Sequence, residues 1–272
     1  MAVFYDEIPE SLFEWIKKQR MFWVATAPLS AQGHINLSPK GGDNCFHVVN
    51  SKQVYYQDLT GSGIETISHI RENGRITVMF NAFEGPPRIL RLFGIGTVYE
   101  YGTPEYHTLI PAETRQPGSR AAIVIDLFQV STSCGFAVPL YNFVTHRTQL
   151  HRLVGLRESV DRDNAILLRD NPSSHPDNVP QNSLRGYWLR KNMKSLDGLP
   201  GLLTAPDAIT HVVPQHNFDK NTPRPMLQVV RGSKEMSDTV VRGHEKALAL
   251  GFCLGVITVT AFTQILRQVD LN

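Results

Sequence analysis

Cysteine and unbalanced charge are both scarce in this sequence of 272 residues. Its three cysteines, Cys45, Cys134 and Cys253, are an odd number and lie far apart, which excludes a disulfide framework and favours a reducing compartment. The 27 basic side chains nearly balance the 25 acidic ones, so binding to nucleic acid through bulk electrostatics is not expected. The N-terminal segment MAVFYDEIPES contains acidic residues and no apolar run, so we expect no secretory signal there.

The motifs of common hydrolases and nucleotide-binding enzymes are also missing. The chain has no G-x-S-x-G segment and no Gly-Lys-Ser/Thr, which argues against a nucleophile elbow and a Walker loop. His146 and His151 lie five apart in a predicted helix, a spacing that does not put both on one face, so we expect no metal site. Cys134 lies next to Gly135 just beyond the last predicted barrel strand, where a reactive thiol is one interpretation. Because it has no basic neighbour in the sequence that would lower its pKa, the favoured interpretation is a small buried residue.

Short segments of strand length, rich in β-branched and aromatic residues, dominate the first half of the chain. They predict a mainly β fold with some α structure, an antiparallel Greek-key barrel. Gly94 and Gly96 would let the longest strand bend at a barrel corner. Helices are predicted at 62–73 and around 144–159. The predicted strands are 21–27, 34–38, 46–50, 53–59, 76–81, 88–100 and 121–131.

Two sequence patterns predict where further short helices begin. Ser11-x-x-Glu14 has the spacing of a capping box, in which the two side chains satisfy free backbone N–H groups. Thr103 followed by Pro104 is typical of an N-cap and a first-turn proline.

The segment Thr60-Gly61-Ser62-Gly63 joins a predicted strand to a predicted helix. Glycines let the backbone approach a ligand closely, and the first N–H groups of a helix are unpaired donors at its positive end. The segment therefore suits a phosphate, with hydroxyl donors from Ser62 and Thr66 and a countercharge from Lys40. A second interpretation stays open, because Ser62 and Glu65 also have capping-box spacing and would then need no ligand.

Five motifs in a fixed order resemble the pyridoxamine 5′-phosphate oxidase-like family of FMN-binding split barrels. The resemblance covers roughly residues 1–204, and two of its segments are similar to a fungal and bacterial branch of the family. The motifs are N-x-S-P-K-G (36–41), D-L-T-G-S-G-x-x-T (58–66), R-x-x-R-x-x-G (88–94), TSCGFAVP (132–139) and SLDGLPGL (195–202).

This resemblance implies a homodimer that binds FMN in a groove between two subunits. It places Ser38 and Lys40 near the phosphate and the ribityl chain, and either Arg88 or Arg91 where a side chain reaches the flavin across the dimer. An arginine that alternates along a strand is also the ordinary pattern of a solvated face, so this last assignment has an alternative. The residues matching the phosphate-side loop are Thr60, Gly61, Ser62, Gly63 and Thr66.

The resemblance further implies an FMN-dependent oxidoreductase acting on a small-molecule redox substrate. A Trp- and Arg-containing segment that grips the substrate in true pyridoxamine phosphate oxidases is not apparent here, so vitamin B6 activity is not expected. A non-catalytic flavin-binding module for storage, sensing or membrane-tethered assembly is the alternative. Related split barrels bind haem or a deazaflavin, which are the alternative cofactors.

The C-terminal part has a different composition. Residues 247–266 form an uncharged run of twenty residues, long enough to cross a bilayer, whereas its threonines and Gln264 also fit a helix packed on the barrel. Basic residues concentrate on the N-terminal side of this run, which predicts a cytosolic flavin domain with a tail anchor. The predicted parts are a barrel (1–140), a helical extension packed on it (141–204), a Pro-rich linker (205–245) and a transmembrane helix (246–267).

Overall fold

A computed structural model describes residues 2–170 and 179–208, which belong to one compact unit. The strands are β1 (Val3–Tyr5), β2 (Met21–Thr26), β3 (Asn36–Gly41), β4 (Phe46–Asn50), β5 (Gln53–Leu59), β6 (Arg75–Asn81), β7 (Ile89–Glu100) and β8 (Ser119–Ser133). The helices are α1 (Phe13–Lys17), α2 (Glu65–Asn73), α3 (Pro104–Leu109), α4 (Gln149–Asp170), α5 (Leu184–Lys191) and α6 (Ala205–Ala208).

The strands form one antiparallel sheet that curls into a split barrel, as the sequence predicts. Its order is β3-β2-β6-β7-β8-β5-β4, and β1 pairs with β8 as well. All seven predicted strands are present, whereas β1 was not predicted. Four of the seven pairs of consecutive strands are neighbours in this order, whereas β3 and β4 lie at opposite edges of the sheet although only a short loop joins them.

Buried and less buried side chains alternate along the strands, and the buried ones form the core inside the curled sheet. On β2 the side chains of Phe22 and Val24 are buried while their neighbours are half-buried. The ring of Phe22 lies 5.0 Å from that of Phe46, 5.3 Å from that of Tyr56 and 5.7 Å from that of Phe80. These aromatic contacts join β4 and β5, at one end of the strand order, to β2 and β6 toward the other end, so the apolar core fixes the curl.

The two glycines of β7 serve different purposes. At Gly94 the pairing of β7 with β8 shifts register, and a Cβ there would lie 2.6 Å from the carbonyl oxygen of Asp126. This bulge agrees with the bend predicted for the strand. At Gly96 a Cβ would lie 3.0 Å from the Cδ1 atom of Ile70, so this glycine lets α2 pack closely on the sheet.

Helix starts show where local patterns succeed and fail. Thr103 caps α3 as predicted, accepting a hydrogen bond from the backbone N–H of Tyr106 at 3.2 Å. The capping box at Ser11 is wrong, because Ser11 lies within a 3-10 turn and α1 begins at Phe13 without a side-chain cap. Helix α4 begins five residues later than predicted and is longer, so His146 lies outside it.

Helices α4, α5 and α6 contribute to the same hydrophobic core as the barrel. Val154 of α4, Trp188 of α5 and Ala205 of α6 are all buried in it. The linker predicted to begin at residue 205 therefore starts too early, since the first turn after Thr204 is a helix that buries Ala205. Cys134 directly follows β8 and is exposed, so its interpretation as a buried residue is wrong.

None of the helices within 2–170 and 179–208 is both long and apolar enough to span a membrane. The predicted span at 246–267, and the rest of the predicted linker, lie outside the described residues.

Candidate functional site

A buried cluster of three charged side chains lies inside the barrel beside the Gly-rich loop. The carboxylate of Asp58 is fully buried and receives Lys40 Nζ at 2.8 Å and Arg120 Nε at 2.8 Å. Burial alone would raise the pKa of Asp58, but attraction to Lys40 and Arg120 and their hydrogen bonds outweigh it and lower the pKa to about 2. Two cations thus share one carboxylate, and the cluster carries an excess of one positive charge.

Arg120 also orients the Gly-rich loop. Its guanidinium donates hydrogen bonds to the carbonyl oxygens of Gly61 at 3.4 Å and Gly63 at 2.9 Å. In a planar trans peptide the C=O and the next N–H point in opposite directions. The amide N–H groups of Ser62 and Ile64 therefore point away from Arg120.

Helix α5 and the residue that follows it hold the same loop from another direction. Trp188 Nε1 donates to Thr60 Oγ1 at 2.8 Å, and Thr60 Oγ1 in turn donates to the carbonyl oxygen of Gly118 at 2.6 Å. Asn192 Nδ2 donates to the carbonyl oxygen of Gly61 at 3.0 Å. Thr60 is thus a structural anchor for the loop, with its hydroxyl fully used by protein partners.

The start of α2 differs from the capping-box interpretation. The helix begins at Glu65 with Ile64 in the N-cap position, and no side-chain hydrogen bond caps it. The box between Ser62 and Glu65 is therefore wrong. The Glu65 carboxylate accepts a hydrogen bond from the backbone N–H of Leu196 at 3.3 Å and lies against Gly63. A negative charge thus already lies near the positive end of α2.

The third part of the site is a polar row on the inner face of β3. Ser38 Oγ donates to Asn36 Oδ1 at 2.7 Å, and Asn36 Nδ2 donates to Thr66 Oγ1 at 3.0 Å. Lys40, next in the row, binds Asp58. The structure thus brings together Ser38, Lys40, Thr66 and the loop 60–63, all of which the sequence predicted as one site.

Arg88 and Arg91 are not brought to this cluster within one subunit. Arg91 pairs across the sheet with Met79, in the row that continues to Trp23 and Pro39. Directly opposed residues share a face of an antiparallel sheet, so Arg91 lies on the face opposite to Ser38 and Lys40. Arg88 lies just before β7, with its guanidinium 5.4 Å from the centre of the Trp15 ring.

Sequence reasoning missed the residues that hold the site in place. Asp58 is part of the D-L-T-G motif and lies near the end of a predicted strand. An acidic residue at that position is a signal that the sequence offers. Arg120, Trp188 and Asn192 give no local signal, because each lies more than fifty residues from the loop it contacts. Asn36 is part of the N-x-S-P-K-G motif but was not identified as a site residue.

Comparison with known proteins gives one close relative and several distant structures. The chain is 38% identical over 209 residues to the pyridoxamine 5′-phosphate oxidase family protein ustO of Aspergillus flavus, covering 75% of this chain and 80% of that protein. HupZ of Group A Streptococcus is 24% identical, covering 45% of this chain and 91% of its own, with a TM-score of 0.37. The FAD binding protein from Mycobacterium smegmatis is 10% identical, covering 49% and 98%, with a TM-score of 0.35. No protein-family profile matches the chain.

Proposed function

The chain belongs to the pyridoxamine 5′-phosphate oxidase family, and from that premise we propose that it binds FMN and acts as a flavin-dependent oxidoreductase on a small-molecule substrate. The observation that carries this proposal is the orientation of the loop 60–63. Its amide N–H groups point away from Arg120, at the start of a nine-residue helix whose first turn has no side-chain cap. Such a group of outward N–H donors at a helix N-terminus suits a phosphate.

The surrounding charges fit a phosphate as well. Lys40 and Arg120 together exceed the single charge of Asp58, and the side chain of Lys40 is 19% exposed while the other two are buried. Lys40 is therefore the cation of the cluster that remains accessible to a ligand. Glu65 is an opposing charge beside the loop, and we expect its carboxylate to turn away from Gly63 when the phosphate binds.

When bound, the flavin supplies the hydride-transfer chemistry, and the protein supplies binding, orientation and electrostatics. The charged groups of the cluster are paired with one another, which is what a binding role requires. The same pairing also favours the alternative of a flavin-binding module without turnover, because an acid or base held in an ion pair is a poor proton carrier.

We also propose that the site is completed by a second copy of the chain. Arg91 lies on the outer face of the sheet, where it is remote from the subunit's own Lys40 but available to a partner. The same outer face carries three apolar side chains, Phe4, Leu37 and Ile95, that are between 47% and 64% exposed. A covered outer face would bury these residues and bring Arg91 to the other subunit's flavin.

The absorption spectrum of the purified protein tests the cofactor. We expect flavin bands that bleach anaerobically with NADH or NADPH and return in air. A flavin spectrum that no reduced nicotinamide bleaches would favour the module without turnover. A haem spectrum, or no binding of added FMN, would refute the proposal.

Lys40→Ala tests the phosphate assignment. We expect the affinity for FMN to fall by about tenfold or more, because a charge-assisted hydrogen bond is worth roughly 1.5–3 kcal/mol. Lys52→Ala, which removes an exposed lysine from a turn, is the matched control and should bind FMN as the wild type does. Equal affinities for both variants would contradict the assignment.

A further inference from the structure

A short hairpin after α5 lies against the first turns of α2. It consists of residues 194–200, whose first and last members pair with each other. Ser68 Oγ of α2 donates to the carbonyl oxygen of Leu199 at 3.4 Å. Where the chain leaves the hairpin, the buried carboxylate of Glu100 accepts the backbone N–H groups of residues 203–205 at 2.7 to 2.8 Å. The base of the hairpin is therefore held in place by buried groups.

The tip of this hairpin is held by two carboxylates, one on α2 and one of its own. The backbone N–H of Leu196 donates to Glu65 Oε1 at 3.3 Å. Asp197 accepts the backbone N–H of His34 at 2.8 Å, and its other oxygen lies 2.6 Å from His34 Nδ1. Leu196 is 70% exposed and the imidazole of His34 is 65% exposed. Water replaces exposed hydrogen bonds at little cost, so the tip can detach while the base stays in place.

The carboxylate of Glu65 connects the tip to the Gly-rich loop. While its Oε1 binds Leu196, a Cβ added at Gly63 would overlap with its Oε2. The φ of Gly63 lies outside the left-handed region, so it is this contact that requires a glycine here. The same carboxylate lies at the N-terminal end of α2, where the helix dipole and free N–H groups favour an anion. Glu65 therefore competes with a phosphate for the loop 60–63.

We propose that Glu65 and the hairpin 194–200 form an autoinhibitory contact at the candidate phosphate site. A phosphate that binds the loop displaces Glu65 from Gly63, and the tip of the hairpin then loses its bond to Glu65. The inference rests on the proposed function and goes beyond it, because it makes the hairpin a second region that sets the affinity for phosphate. Such coupling is reciprocal: phosphate binding loosens the tip, and loosening the tip tightens phosphate binding.

Gly63→Ala tests the contact without any ligand. The added methyl group should push the carboxylate of Glu65, the end of a flexible side chain, off the loop, so that the Leu196 N–H loses its acceptor. Hydrogen exchange of this amide in the full chain, followed by NMR, should become about threefold faster or more. Gly61→Ala is the matched control, because a Cβ there meets no atom within 4 Å and exchange at Leu196 should not change. Wild-type exchange in Gly63→Ala would overturn the proposal.

FMN should have the same effect on the wild type. Saturating FMN should speed exchange at Leu196 but not at Gly201, whose N–H donates to the carbonyl oxygen of Met193 at the base of the hairpin at 2.8 Å. Riboflavin, which lacks the phosphate, should change neither amide. Unchanged or slower exchange at Leu196 in the protein saturated with FMN, or equal acceleration by riboflavin, would overturn the proposal. Failure of the proposed function would look different, because the wild type would then not bind FMN.

Ligand affinities test the competition between Glu65 and the phosphate. Glu65→Gln removes the negative charge beside the loop and should raise the affinity for FMN about threefold, with little change for riboflavin. Glu65→Ala also removes the acceptor of the Leu196 N–H and should raise the FMN affinity at least as much. Glu72→Gln removes the same charge from the last turn of α2 and is the control, with an expected change below about twofold. Equal or weaker FMN binding by both Glu65 variants would overturn the proposal.

Asp197→Ala tests whether the hairpin takes part in this competition. The substitution frees the tip from His34, so the tip holds Glu65 on the loop less firmly and the affinity for FMN should rise about twofold. In the Glu65→Ala background the same substitution should have no effect, because nothing is left on the loop for the tip to hold. An equal effect in both backgrounds would show that Asp197 acts by its charge alone and would overturn the role of the hairpin.

Discussion

Lys40 and Asp58 form an ion pair across the split of the barrel. Lys40 Nζ lies 2.8 Å from Asp58 Oδ1, although β3 is at one edge of the sheet and β5 lies next to the opposite edge. The pair therefore spans two sides that no backbone hydrogen bond of the sheet connects directly. Because Arg120 binds the other carboxylate oxygen and the loop carbonyls, the closure of the barrel and the shape of the candidate phosphate site depend on one buried carboxylate.

Asp58→Asn should destabilise the fold strongly. The substitution leaves the buried Arg120 and the half-buried Lys40 without a carboxylate, and removing one partner of a buried ion pair costs roughly 3–5 kcal/mol. Urea unfolding followed by circular dichroism measures the loss. Asp163→Asn is the control, since its pair with Arg162 is largely exposed and should contribute less than about 1 kcal/mol. Similar midpoints for both variants would contradict a structural role for Asp58.

Acid should remove the same stabilisation from the wild type. The pKa of Asp58 is about 2 in the folded protein against an ordinary value of 3.8, so its contribution is fully present above pH 3.8 and is lost as the pH falls toward 2. The difference in unfolding free energy between the wild type and Asp58→Asn should shrink by on the order of 1 kcal/mol between pH 5 and pH 3. A difference that stays constant over this range would show that Asp58 is not held ionised.

Gly61→Ala should affect ligand binding without destabilising the fold. A Cβ at Gly61 would meet no atom within 4 Å, and its φ lies outside the left-handed region, so the melting temperature should stay the same or rise slightly. If a phosphate lies against the loop, the added methyl group should lower FMN affinity by about tenfold while riboflavin binding changes little. Unchanged FMN affinity in a stable variant would exclude close approach of the phosphate at this position.

Leu37→Glu should disrupt the proposed dimer. Leu37 is 64% exposed on the outer face of β3, and a carboxylate buried there between subunits would lack a partner. Light scattering should give a dimer for the wild type and a monomer with weaker FMN binding for the variant. Leu29→Glu, at an equally exposed loop position, should remain a dimer. A wild-type monomer that holds FMN at full affinity would refute the shared site.

Membrane attachment remains a prediction from the sequence alone. An uncharged helix of twenty residues at about 1.5 Å each would match the hydrocarbon thickness of a bilayer. After extraction at alkaline pH, the full-length chain should stay in the membrane pellet, and a chain truncated at Met236 should be released. Release of both chains alike would show that residues 247–266 are not an anchor.

Local chemistry let the sequence alone predict seven of the eight strands and the position of the Gly-rich loop, but not β1, α5 or α6. Alternation of apolar and polar side chains defines a strand wherever it lies in the sheet. Thr103 caps α3 through a hydrogen bond to a residue only three positions further along the chain. The family resemblance, carried by motifs such as those at 36–41 and 58–66, could also be read directly from the sequence. The grouping of Ser38, Lys40 and Thr66 followed from that resemblance.

Only the tertiary structure decided what each site residue does. Lys40 is held by Asp58, Thr60 by Trp188, and the loop carbonyls by Arg120, through contacts between segments 18 to 128 residues apart. The face on which Arg91 lies depends on the register of four strands, and a shift by one residue would reverse it. Such contacts depend on the order in which the strands pair, and no local pattern of side chains encodes that order.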